Sequence, residues 1–221
     1  GPDVSLLKSR GRAAKNTWKR NEKTMDFSLT REQALVKKMM QAFTENEVKP
    51  IAAEIDRTHQ YPAENVAKLF KLGVMGMTVP KEYGGMGADQ VAAAICTEEL
   101  AKACASTSDI VAGHTLCCVP ILEHGNEEQK KKYLPMLTKG GVLGGMGITE
   151  PNAGSDASKS QTEAKLEGDH YVINGSKIFI TNGPDAGVFV IFAMTDKTKG
   201  NKGLSAFIIE SSFPGFSVGK I

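Results

Sequence analysis

Gly140-Gly141-Val142-Leu143-Gly144-Gly145-Met146-Gly147 (140–147) is where one kind of sequence gives way to another. Upstream, apolar residues recur at helical steps; downstream, they come in short runs separated by turn residues. Thr30-Arg31-Glu32-Gln33 is a capping box that aims a hydroxyl at an orphan amide. Leu35, Met39, Phe43, Ile51 and Ile55 follow at three- to four-residue steps, with a kink or restart at Pro50. Pro62 stands where a first helical residue belongs, ahead of Val66, Leu69, Phe70 and Leu72 and a stop at Gly73. Past a glycine-rich turn at 81–87, the pattern predicts helices over about 90–105 and 109–123. A last helix is opened by the capping box Asn126-Glu127-Glu128-Gln129 and ended by Pro135.

Beyond Gly141 the reading is β. Val142–Gly147 is a short apolar strand, and Tyr171-Val172-Ile173, Asn174-Gly175 and Ser176–Ile180 predict a hairpin with a type I′ turn. Val188–Met194 and Leu204–Ile209 are two further β runs, joined by the polar loop Thr195–Gly203. The expected class is therefore α+β: a helical domain over 25–140, then the start of a β domain over 141–221.

With 221 residues, 41% hydrophobic and 24% charged, the chain can bury a core and does not read as disordered. Its two longest apolar stretches, Ile110–Leu122 and Val188–Met194, fall short of the ~20 residues of a membrane span, so the chain reads as soluble, with no membrane partner. The net charge of +2 is uneven: residues 1–24 carry seven Lys/Arg against two acids, leaving 20 bases and 23 acids from Met25 onward. That basic leader begins Gly-Pro and precedes a natural initiator at Met25. We read it as an expression or fusion remnant, ahead of a nucleic-acid arm or an Arg-rich transit peptide. Cys96, Cys104, Cys117 and Cys118 read as buried reduced thiols, and His59, His114, His124 and His170 lack metal-ligand spacing to them. His114, in an apolar helix, reads as a core histidine before a group near substrate. Lys130-Lys131-Lys132 reads as a solvated helix face, so no nucleic-acid partner is expected.

Two stretches carry chemistry. Met146-Gly147-Ile148-Thr149-Glu150-Pro151-Asn152-Ala153-Gly154-Ser155-Asp156 ends a strand in a tight loop of hydroxyls and small residues. Such a loop offers backbone amides and the Thr149 and Ser155 hydroxyls to the edge of a flat heterocycle. Lys177-Ile178-Phe179-Ile180-Thr181-Asn182-Gly183, read as a strand, puts Phe179 and Thr181 on one face, an aromatic plane beside a donor. Taken singly, each is more simply an ordinary turn and an ordinary strand end.

In this order and at this separation, ThrGluProAsnAlaGlySerAsp (149–156) and PheIleThrAsnGly (179–183) resemble the acyl-CoA dehydrogenase family, most closely its short-chain, butyryl-CoA dehydrogenase-like bacterial members. ProLysGluTyrGlyGlyMetGly (80–87), GlyAsnGluGluGlnLysLysLysTyrLeu (125–134) and AsnGlySerLys (174–177) extend the likeness, which runs from Met25 to Ile221. The resemblance implies a helical N-terminal domain and an antiparallel, barrel-like middle domain, here incomplete, with the family's C-terminal helical bundle absent. It implies FAD and a flavoprotein oxidoreductase of fatty acid metabolism. The reaction is α,β-dehydrogenation of a short-chain acyl-CoA, by α-proton abstraction with β-hydride transfer to flavin N5. Met146, Gly147, Ile148, Thr149, Gly154 and Ser155 would contact the pyrimidine edge, Phe179 would pack on the ring, Thr181 would bond near N5, and Ile180 between them would belong to the same cofactor site. Ser155 would also touch the CoA portion, and the helix around 109–122 would wall the acyl chain. Phe179 departs from the Trp of many relatives and lacks an indole donor.

The family's base is a glutamate in the C-terminal bundle, so the resemblance puts it beyond Ile221 and leaves no catalytic base here. Glu150 reads as a structural carboxylate. The chain is thus expected to be truncated and inactive alone, binding FAD poorly. The implied partners are an electron-transferring flavoprotein and further copies in a homotetramer. The implied location is cytoplasmic, with the mitochondrial matrix as the alternative. The rival readings are a related flavin thioester reductase, oxidase or monooxygenase, and a non-catalytic binding or assembly protein on the same scaffold.

Overall fold

The computed structural model describes residues 26–219; the basic leader, with Trp18, lies outside them. Six helices come first. α1 (Arg31–Phe43) carries the expected capping box, with Gln33 N donating to the Thr30 side chain. A π-helical turn at Thr44–Val48 joins it to α2 (Lys49–Thr58). The irregularity sits just ahead of Pro50, which cannot donate to an i−4 carbonyl and crowds it, so the ladder widens there. α3 (Ala63–Lys71) follows Pro62, and α4 (Gln90–Ala101) is capped by Asp89, whose side chain accepts from Ala92 N. α4 stops four residues short of the expected end because Cys104 serves as cap to α5 (Ala105–His124).

α5 corrects one expectation. It spans 20 residues, long and apolar enough by length and composition to cross a membrane. Its interior is nonetheless this protein's own core: His114 and Cys117 are fully buried, and Cys118 and Ile121 nearly so. α6 (Glu127–Thr138) opens on the Asn126 capping box but does not end at Pro135. Leu134 and Leu137 are fully buried and Thr138 donates its hydroxyl to Tyr83 O at 3.0 Å. That burial holds the last turn against the ~3 kcal/mol a mid-helix proline costs.

Five strands follow: β1 (Leu143–Gly147), β2 (Glu163–Glu167), β3 (His170–Asn174), β4 (Ala186–Met194) and β5 (Leu204–Glu210). β4 is central. It pairs in parallel with β1 and antiparallel with β5, and meets β2 in parallel at Met194. The sheet is therefore mixed rather than purely antiparallel. The predicted hairpin is displaced: β3 pairs antiparallel with β2, from Glu163–Asn174 to Glu167–His170, and the turn is Gly168-Asp169. Gly168 adopts φ +65°, which a hairpin turn of this kind favours in glycine. Asn174 instead ends β3, and residues 175–180 form no strand.

One core cluster joins α1–α5 to Leu143, Ala186 and Phe189; a second joins α5 and α6 to Val188 and Val190. α5 contributes to both, and so carries the strand from which the chemistry-bearing loop emerges.

Candidate functional site

β1 reaches its loop from a fixed base. Gly144 N donates to His114 Nδ1 at 2.9 Å, which leaves the ring proton on Nε2, facing Cys118 Sγ at 3.5 Å. Phe70 meets the same imidazole edge-on, with centroids 5.7 Å apart. Burial pushes the His114 pKa down to about 4, against backbone hydrogen bonds that favour the charged form. A neutral core histidine bolting β1 to α5 is what results.

The loop itself folds back tightly. Glu150 N donates to Ala153 O at 2.9 Å and Ala153 N to Glu150 O at 3.1 Å, closing a turn whose second residue is Pro151. Beneath the turn lies a buried polar network. The Glu150 and Lys177 side chains are 4% and 7% exposed, and Lys177 Nζ donates to Glu150 Oε1 at 2.6 Å. The Ser160 hydroxyl also donates to this carboxylate, as do Gln161 N at 2.6 Å and Thr162 N at 3.0 Å. Desolvation on its own would raise the Glu150 pKa, but the bonds from Lys177, Ser160, Thr162 and Gln161 hold it well below the usual carboxylate range. Its depressed pKa means that the brace is intact above the ordinary carboxylate pKa and fails only as acid protonates the folded carboxylate. Glu150 is thus a structural carboxylate with its acceptor capacity engaged.

Lys177 does a second thing. Its Nζ donates to Ile148 O at 3.2 Å, and Ile178 N donates to Thr149 O at 2.9 Å. These bonds stitch the two chemistry-bearing stretches together and explain the displaced hairpin: residues 177–178 pair with the loop instead of returning along β3. Thr149 and Met146 are half-buried, Gly147 is buried, Ile148 is half-buried, and Gly154 and Ser155 are exposed beyond the turn.

Phe179 and Thr181 do not share a strand face. Phe179 takes φ +57°, and the residue is 91% exposed. A left-handed backbone at a bulky residue costs roughly 1–2 kcal/mol. The protein's own packing gives little back for it, since the residue meets solvent. Ile180 packs against the first core cluster. Thr181 turns toward α5, where its hydroxyl donates to Asp109 Oδ2 at 3.1 Å. Asn182, at φ +65°, donates from Nδ2 to Ile110 O at 3.0 Å and Gly144 O at 3.1 Å, tying α5 to β1.

The structure therefore brings 148–149 and 177–178 into contact, leaves Gly154, Ser155 and Phe179 facing solvent, and sets Thr181 on α5. Sequence reasoning missed the Lys177–Glu150–Ser160 network and the Asp109–Thr181 bond. Their partners lie far apart in the chain, and no local pattern marks them. Among the described residues no cluster of His, Cys, Asp or Glu could hold a metal ion.

Two family models match nearly all of this architecture: acyl-CoA dehydrogenase, N-terminal domain, over residues 30–141, and acyl-CoA dehydrogenase, middle domain, over 145–221. The chain belongs to the acyl-CoA dehydrogenase family. It is 61% identical over 198 residues to the short-chain specific acyl-CoA dehydrogenase of Clostridium acetobutylicum, covering 89% of this chain and 52% of that protein. The solved butyryl-CoA dehydrogenase from Megasphaera elsdenii superimposes with a TM-score of 0.85 at 44% identity, covering 89% of this chain and 52% of that one. An acyl-CoA dehydrogenase from Bacillus anthracis, solved in complex with FAD, gives a TM-score of 0.80 at 36% identity, over 87% of this chain and 34% of that one. The chain spans about half the length of the curated relatives it matches.

Proposed function

We propose that this chain supplies the flavin-ring site of an FAD-dependent short-chain acyl-CoA dehydrogenase. The observation that carries the reading is the stitch between Ile148–Thr149 and Lys177–Ile178, which sets the loop and the Phe179–Thr181 segment side by side. FAD, when bound, would supply the two-electron acceptor for α,β-dehydrogenation. The residues present suit such a ring. The loop 146–155 would direct backbone amides and the Thr149 hydroxyl at its polar edge, stabilising negative charge there. Phe179, already exposed in a left-handed conformation, would cover a flat face. Ser155, exposed past the turn, would meet the CoA portion of the substrate, and the outer face of α5 from Asp109 to Leu116 would wall the acyl chain. We assign no proton-abstracting base to residues 26–219; Glu150 in particular is locked in its brace. A short-chain acyl-CoA substrate, an electron-transferring flavoprotein as acceptor, a homotetrameric assembly and a cytoplasmic location complete the proposal, on the strength of the resemblance.

The test is the visible spectrum and dye-linked turnover of the purified full-length protein. The expected result is one flavin per chain, bleached by butyryl-CoA, with flavin lost on Thr149→Val combined with Phe179→Ala. A colourless protein, or one whose flavin is indifferent to that double change, overturns the reading.

A further inference from the structure

We propose that Asp109 is a positioning residue that makes Thr181 a hydrogen-bond acceptor, and not a donor, toward the proposed ring site. The inference deepens the flavin reading and rests on it. Thr181 is held at two points. Its hydroxyl donates to Asp109 Oδ2 at 3.1 Å across 72 residues of sequence. Its methyl fills the space over Gly113, where a Cβ on α5 would stand 2.6 Å from Thr181 Cγ2 and 2.7 Å from its Cβ. Asn182, the next residue, is anchored on both α5 and β1, so the backbone on that side is fixed as well.

The chemistry follows from counting protons. A threonine hydroxyl has one proton and two lone pairs. Hydrogen bonds to a carboxylate are stronger than neutral ones, so the Thr181 proton stays directed at Asp109 and only the hydroxyl's lone pairs remain for a ligand. The oxidised flavin N5 is itself an acceptor and gains nothing from such a hydroxyl. On a reduced ring N5 would carry a hydrogen, and Thr181 would accept the hydrogen bond it donates. Thr181 would therefore hold the reduced ring more tightly than the oxidised one. The Asp109 charge works the other way, because a carboxylate near the ring opposes added negative charge. Orientation and charge separate by substitution: Asn at 109 keeps an acceptor for Thr181 and loses the charge, whereas Ala loses both.

The experiment is a midpoint-potential titration of the FAD-loaded full-length protein carrying Asp109→Asn or Asp109→Ala, each with and without Thr181→Val. With Thr181 present, the Ala variant is expected to favour the oxidised flavin over the Asn variant by about tenfold, roughly 30 mV for a two-electron couple. With Val at 181, the two variants are expected to coincide. Asp109 is solvent-exposed, so both variants should fold. Bound flavin with equal potentials for Asn and Ala when Thr181 is present overturns this inference and leaves the flavin reading standing. So does a difference that survives Thr181→Val. A protein that takes up no flavin in any form overturns the reading beneath it, and this inference with it.

Discussion

The root and the tip of the 148–155 loop are built on opposite principles. At the root, two opposite charges are buried together and every donor of Lys177 has a partner: Glu150, Ile148 O and Ser160. At the tip, Gly154, Ser155 and the neighbouring Phe179 face solvent, and Phe179 does so in a strained backbone. The difference teaches where rigidity comes from. A loop whose tip offers its amides to a ring, as proposed above, cannot also use them to hold its own shape, and here the restraint lies one layer down.

If that division is right, damage to the root should cost stability and damage to the tip should not. The largest expected effect is Lys177→Met, which strands the buried Glu150 carboxylate. Such losses run to about 3–5 kcal/mol, measurable by urea unfolding. Adding Glu150→Leu should restore much of the loss, since an apolar pair can replace a buried ionic one. A mild effect of Lys177→Met would mean that the network is not what braces the loop.

Next comes His114, which fixes the strand leading into the root. Its pKa falls from 6.5 unfolded to about 4 folded, so the unfolded chain binds a proton that the native state refuses. Stability should therefore fall as pH drops from 6.5 toward 4, by roughly 3 kcal/mol from this group, and be unaffected by it above that window. Comparing His114→Gln with the unaltered protein across that range should show the slope reduced by that amount. Identical slopes would contradict the buried, neutral imidazole.

The smallest effect belongs to the tip. Phe179→Ala should change unfolding free energy by no more than about 0.5 kcal/mol, as for other exposed positions, because alanine keeps the Cβ and so leaves the left-handed strain unchanged. A loss of several kcal/mol would place Phe179 in the core and erase the contrast.

The helical half of this architecture was largely legible, because its signals are local. Thr30 with Gln33 and Asn126 with Gln129 cap helices through neighbours three residues away, and both boxes are present. The β half was harder. Asn174-Gly175 is a strong turn signal, yet the turn is at Gly168-Asp169, since β2 (Glu163-Ala164-Lys165-Leu166-Glu167) is too charged to read as a strand. The segment after Asn174 was claimed by Lys177, whose partner Glu150 lies 27 residues away. The candidate site shows the same split. The two stretches could be paired from their motifs, but the left-handed Phe179 and the Asp109–Thr181 bond depend on contacts that no spacing encodes.

The most direct test of the central claim is a crystal structure of the FAD-loaded full-length protein. The account predicts the ring's polar edge against the 148–155 amides, Phe179 covering a face of the ring, and, in crystals reduced before freezing, Thr181 Oγ1 within about 3 Å of N5. A ring bound elsewhere, with Phe179 still in solvent, would contradict it.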